Sequence, residues 1–175
     1  VIVVVLGGAR SGKSVVAEEL AVRLPEPVTF IATALPETLA GDADMAARVA
    51  VHRARRPSGW RTVEAGHDLV PAVASAEGTI VIDGLGTWVA GQPDFHADAG
   101  ELCRTLVGRG RDSVVVSDEV GLGVHPTSDA GRRFRDALGE VNQAVAAIAD
   151  EVLFVVAGHA LRLEKPDFED LGGER

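Results

Sequence analysis

The sequence predicts an α/β protein: a mostly parallel sheet covered by helices on both faces. Three observations carry that prediction. Short runs rich in β-branched residues alternate with stretches of helical period. The first such run feeds directly into a glycine-rich loop and then a helix. The chain of 175 residues is 46% hydrophobic, enough for one domain, residues 1–175, with a full core.

Val1 to Leu6 is a continuous β-branched run, as expected of a strand buried on both faces of a parallel sheet. Beyond the glycine loop, Val16, Leu20 and Leu24 recur every four residues on a helix that Pro25 and Pro27 end. Val28 to Thr33 reads as a second strand, Asp42 to Arg56 as a helix stopped by Pro57, and Arg61 to Glu64 as a short strand. Asp68 is placed to cap a helix running to Ala76, and Thr79 to Asp83 is another buried strand. Gly84 to Gly100 mixes Gly, Pro, Asp and His without a period and reads as an irregular surface excursion. A helix around Leu102 to Val107, a strand from Ser113 to Ser117 and a loop from Gly121 to Thr127 follow. The long helix Ser128 to Ala149 and a last strand, Glu151 to Val156, complete the order, and Lys165 to Arg175 is expected to fray.

Composition narrows the function. Seventeen Lys and Arg against 26 Asp and Glu give a net charge of −9, which repels a polyanionic backbone and argues against nucleic acid as partner. The single cysteine, Cys103, can form no internal disulfide. No apolar run approaches the roughly 20 residues needed to span a bilayer. The apolar start lacks a charged leader region, so a cytoplasmic protein is expected.

Residues 7–14 read Gly-Gly-Ala-Arg-Ser-Gly-Lys-Ser, satisfying G-x-x-x-x-G-K-[ST] in the required strand–loop–helix context. At this composition the pattern should arise by chance only about 0.002 times in such a chain. One of just two lysines, Lys13, fills its key position. Glycines at 7 and 12 let backbone N–H groups curl around phosphate oxygens, and the helix points its positive end at the anion. Lys13 would reach the β and γ phosphates and Ser14 would ligate Mg²⁺. Such a site also needs a carboxylate at the end of a neighbouring strand. Asp83 is the best candidate for that carboxylate, with Asp118 and Glu119 ending a further strand.

A second constellation lies in the segment 48–56. At helical spacing Arg48, His52, Arg55 and Arg56 share one face. Surrounding positive charge disfavours imidazolium, which would keep His52 neutral and nucleophilic while the arginines hold a triphosphate. The same pattern also describes a last helical turn whose basic residues complement the C-terminal dipole, and spacing alone favours that simpler reading. His67, His96, His125 and His159 lack the spacing of zinc ligands.

Several of these segments together resemble the bifunctional adenosylcobinamide kinase/adenosylcobinamide-phosphate guanylyltransferase family. They are the glycine loop, Phe-Ile-Ala-Thr at 30–33, Asp-Met-Ala-Ala-Arg-Val at 44–49 with His52, Arg-Pro at 56–57, Trp-Arg-Thr-Val-Glu at 60–64 and Asp-Glu-Val-Gly at 118–121. The resemblance spans nearly the whole chain. It implies a RecA-like P-loop fold, a homotrimer, Mg²⁺ as cofactor, and ATP and GTP as substrates. It also implies two reactions: phosphorylation of adenosylcobinamide, then transfer of GMP from GTP through a guanylyl-histidine to adenosylcobinamide phosphate. The matching histidine is His52, with Lys13 and Asp83 as the other catalytic residues and Ser14 and Asp83 on the metal. Nucleotide contacts are implied for Gly7, Gly8, Ala9, Arg10, Ser11, Gly12, Lys13 and Ser14, and for Ala32, Thr33 and Ala34. Arg53, Ala54, Arg55, Arg56, Glu64 and Asp83 complete the implied set. Asp118, Gly84, Gly86 and Gly91 depart from the family pattern.

Overall fold

The computed structural model describes residues 1–34 and 54–166. Its frame is one seven-stranded sheet: β1 (Ile2–Gly7), β2 (Val28–Ala32), β3 (Arg61–Glu64), β4 (Thr79–Asp83), β5 (Ser113–Asp118), β6 (Glu151–Val156) and β7 (His159–Leu163). The strand order is β3-β2-β4-β5-β1-β6-β7, with every pair parallel except β6 with β7. One strand, β5, separates the strand that ends in the glycine loop from the strand that ends in Asp83.

Strand side chains alternate between faces, and this splits the core in two. On one face Val3, Val5, Phe30, Val81 and Val114 meet Ala17 and Ala21 of α1 (Lys13–Ala21). The other face presents Ile2, Val4, Ile31, Ile80 and Ile82. Against it pack α2 (Leu69–Ser75), α3 (Leu85–Gly91), α4 (Ala99–Gly108) and α5 (Asp129–Ile148). Helix, sheet and helix make the three layers expected. The central strands are buried along their length because parallel strands covered on both sides have no solvent-facing side.

Caps explain where the later helices begin. Ser128 Oγ accepts from the Gly131 N–H at the start of α5, and an Asp98 carboxylate oxygen accepts from the Glu101 N–H at the start of α4. Asp68 does occupy the N-cap position of α2, but its side chain makes no capping bond.

Two expectations need correction. The stretch expected to be an irregular surface excursion contains α3 and a short 3₁₀ turn at Pro93–Phe95. Leu85, Trp88 and Val89 of α3 are buried at i, i+3 and i+4. Seven residues, two of them glycine, are too short for that period to register in a sequence window. The strand Glu151–Val156 is also not the last. Ala157 and Gly158, both at positive φ (51° and 79°), turn the chain into β7, which returns antiparallel. A two-residue loop with both residues left-handed is a standard hairpin geometry, yet Ala-Gly lacks the Asn or Asp that usually announces it. The expected helix Asp42 to Arg56 falls largely outside the described residues, as does most of the C-terminal segment from Lys165. Lys165 itself donates to the Ala147 carbonyl at 3.2 Å.

Candidate nucleotide-binding site

β1 ends at Gly7, and the chain curls through residues 8–12 before α1 starts at Lys13. Arg10 and Gly12 both sit at positive φ, 59° and 94°, so successive N–H groups turn to the concave side of the loop. Gly7 is required by contact: a Cβ there would stand 2.7 Å from the Val155 carbonyl oxygen. The β6–β7 turn buttresses the loop from outside. Gly158 N–H donates to the Ser11 carbonyl at 2.7 Å, and a Cβ on Gly12 would press on Gly158 Cα at 3.1 Å.

Four side chains converge at the carboxyl edge of the sheet. Ser14 Oγ donates to Asp83 Oδ1 at 3.1 Å. Lys13 Nζ lies 2.7 Å from Asp118 Oδ1 and donates to the Gly8 carbonyl at 3.3 Å, folded back over its own loop. Asp118 is braced in turn: Asn142 Nδ2 donates to its carbonyl, and Ser117 Oγ donates to Asn142 Oδ1. Gly86 leaves room for it, since a Cβ there would meet Asp118 Oδ2 at 2.6 Å. Glu119 is occupied with its own loop, its N–H on the Gly7 carbonyl and its carboxylate on the Gly121 N–H.

Ala32, Thr33 and Ala34 leave β2 at this same edge. The Thr33 hydroxyl donates to the Gly84 carbonyl at 2.6 Å, tying the end of β2 to the turn after Asp83. Further out, the Arg56 guanidinium stacks on the Phe30 ring at 3.4 Å. An open groove of about 520 Å³ is lined by Arg56, Ser58, Trp60, Thr62 and Glu64. Arg55 reaches inward, its Nη2 3.5 Å from Glu18 Oε1 on α1. Glu18 is only 8% exposed, and that burial pushes its carboxyl above the ordinary carboxylate range, against the pull of Arg55.

The implied residues 7–14, 32–34, 55–56, 64 and 83 therefore share one edge, with Ala54 helical and exposed beside them. His52 and Arg53 lie outside the described residues. Sequence reasoning put Asp118 at a strand end on the ligand edge without finding its partner, and it missed Glu18 and Gly158 altogether. Charge pairing across 105 residues, between Lys13 and Asp118, leaves no local pattern to read. Among the described residues no cluster of three or more His, Cys, Asp or Glu could hold a metal. A magnesium that travels with phosphates needs only one or two protein oxygens, so this does not conflict with Ser14 and Asp83. No helix among the described residues is long and apolar enough to cross a membrane.

Comparison with known proteins agrees with this geometry. The family model for cobinamide kinase / cobinamide phosphate guanyltransferase matches residues 3–163. The bifunctional adenosylcobalamin biosynthesis protein CobP of Pseudomonas aeruginosa is 39% identical over 170 residues, 91% of this chain and 95% of that protein. The protein CobU, described in the same words, is 34% identical in Escherichia coli and 35% in Salmonella typhimurium, each over 93% of this chain and 99% of the relative. With a match of that extent laid over a glycine loop, a strand-end carboxylate and a basic segment at one sheet edge, this chain belongs to the cobinamide kinase / cobinamide phosphate guanyltransferase family.

Proposed function

We propose that this chain carries out both reactions of its family at the carboxyl edge of one sheet, as a single nucleotide-binding domain. The observation that carries this reading is the convergence of Lys13, Ser14, Asp83 and Asp118 from three neighbouring strand ends. In the kinase reaction the backbone N–H groups of residues 8–13 cradle the phosphates of ATP or GTP. Lys13 exchanges Asp118 for the β and γ phosphate oxygens, where its charge offsets charge developing in transfer. The aminopropanol hydroxyl of adenosylcobinamide attacks the γ phosphorus, the bond to the bridging oxygen breaks, and the hydroxyl proton leaves to solvent or a neighbouring base.

In the second reaction a neutral His52 attacks the α phosphorus of GTP and pyrophosphate departs, leaving GMP on the imidazole nitrogen. Arg53, Arg55 and Arg56 supply donors to the phosphates. A phosphate oxygen of adenosylcobinamide phosphate then attacks the same phosphorus and releases His52, giving adenosylcobinamide-GDP. Glu64, at the end of β3, borders the nucleotide at the groove shared with Arg56. The hydroxyl and carboxylate oxygens of Ser14 and Asp83, 3.1 Å apart, are the hard donors that suit Mg²⁺. Bound there, the ion would neutralise phosphate charge and hold the chain's two oxygens in register with the triphosphate. We also assign a homotrimer and a cytoplasmic location, which the mass in solution and cell fractionation test.

The decisive experiment incubates the protein with GTP labelled at the α or the γ phosphate and looks for acid-labile label on the protein. Wild type takes up α-label and His52→Ala takes up none. Uptake that never occurs, or that survives the substitution, removes the guanylyl-histidine step. Lys13→Ala should separately abolish phosphorylation of adenosylcobinamide.

A further inference from the structure

Glu18 lies one helical turn beyond Ser14 on α1, between Ala17 and the exposed Glu19, and it is the charged residue that α1 buries. An ionised carboxyl in that position is costly, and a small apolar side chain such as that of Ala17 or Ala21 would pack there without the cost. The carboxylate meets a cation from a distant part of the chain. Arg55 Nη2 approaches Oε1 to 3.5 Å as both ion pair and hydrogen bond, 37 residues away in sequence. Burial pushes the Glu18 carboxyl up most, Arg55 and Arg56 draw it down, and the charge of Asp83 pushes it up.

Arg55 is three residues from His52, while α1 starts from the glycine loop that holds the triphosphate. A guanidinium has five N–H donors in a rigid fork, so one edge can rest on a carboxylate while another meets a phosphate oxygen. Arg55 is 37% exposed, so its inner edge is anchored while part of the group still faces solvent. We infer that Glu18 is a positioning residue for guanylyl transfer: it fixes Arg55 relative to the triphosphate bound at the head of α1. The inference rests on the guanylyl-histidine reading above.

The test uses the full chain as wild type, E18Q, E18D, R55A and E18Q/R55A. Single-turnover uptake of α-label from GTP is followed beside phosphorylation of adenosylcobinamide with γ-labelled nucleotide. Misplacing a group by an ångström slows a transfer roughly tenfold to a hundredfold, so E18Q should slow guanylylation at least about tenfold. The KM for GTP should move far less, and phosphorylation should slow less than guanylylation. E18D, which keeps the charge, should recover part of the rate, and E18Q/R55A should be no slower than R55A. Guanylylation by E18Q at the wild-type rate overturns the inference. Equal losses in both activities, or effects of E18Q and R55A that multiply, overturn it too. If wild type itself takes up no α-label, the underlying reading fails; a wild type that labels beside a fully active E18Q sinks the positioning role alone. Should E18Q not fold, E18D and R55A decide: guanylylation slowed more than phosphorylation in both, and more in R55A, supports the inference, and selective slowing in only one of them refutes it.

Discussion

In the proposed kinase reaction nucleotide displaces Asp118 from Lys13 before the lysine reaches a phosphate, so Asp118→Asn should tighten nucleotide binding. The pair is close, 2.7 Å, with Lys13 13% and Asp118 34% exposed. At an effective dielectric of 20 the bare attraction across that distance is about 6 kcal/mol. Most of it is cancelled by the cost of withdrawing two charges from water. Exposed pairs retain ~0–1 kcal/mol, and breaking a buried pair costs about 3–5 kcal/mol. A half-exposed pair falls between, at about 1–1.5 kcal/mol, which corresponds to a five- to tenfold gain in affinity once the competing charge is gone. Asparagine keeps the size of the side chain and the backbone carbonyl that accepts from Asn142. Calorimetric titration of the protein with a non-hydrolysable ATP analogue, with and without added salt, reads the effect directly. The gain should shrink at high ionic strength because both charges are partly solvated. Unchanged or weaker binding by D118N would show that the pair does not compete with nucleotide.

Two further outcomes concern stability. Arg109 donates to the carbonyls of Val73, Ala76 and Gly78 at 2.6 to 2.7 Å, closing the end of α2 onto the turn before β4. Arg109→Ala leaves these acceptors without their charged donor and should lower unfolding free energy by about 2–4 kcal/mol, read from the denaturant midpoint; a loss under about 0.5 kcal/mol would show that water replaces it fully. Burial raises the Glu18 carboxyl above its ordinary 4.5. Above that pH the native state therefore holds a proton that the unfolded chain has released, and stability falls as pH rises through the window. Glu18→Gln removes this loss, so its melting temperature should gain on wild type as pH rises above about 4.5. A difference that stays constant with pH contradicts the assignment.

Much of the fold was legible because its signals are local. β-Branched runs marked β1, β2, β4, β5 and β6 to within a residue or two, the first four because strands buried on both faces are mostly apolar. α3 and β7 escaped for opposite reasons. The helix is too short for its period to show, and the strand is exposed throughout, so its residues are not selected for burial. The hairpin matters to the site nonetheless, because Gly158 holds the Ser11 carbonyl from behind the glycine loop.

The order of residues placed a glycine-rich loop after the first strand and an acidic residue at the end of a later one. Those features live in the spacing of a few neighbours and in the backbone freedom of glycine. Folding alone settled which carboxylate faces which partner. Asp83 meets Ser14, while Asp118 takes Lys13, because β5 is inserted between β1 and β4. Folding likewise set Glu18 against Arg55. A charge pair between segments distant in sequence depends on strand order and helix face, and neither is written in any short run of residues.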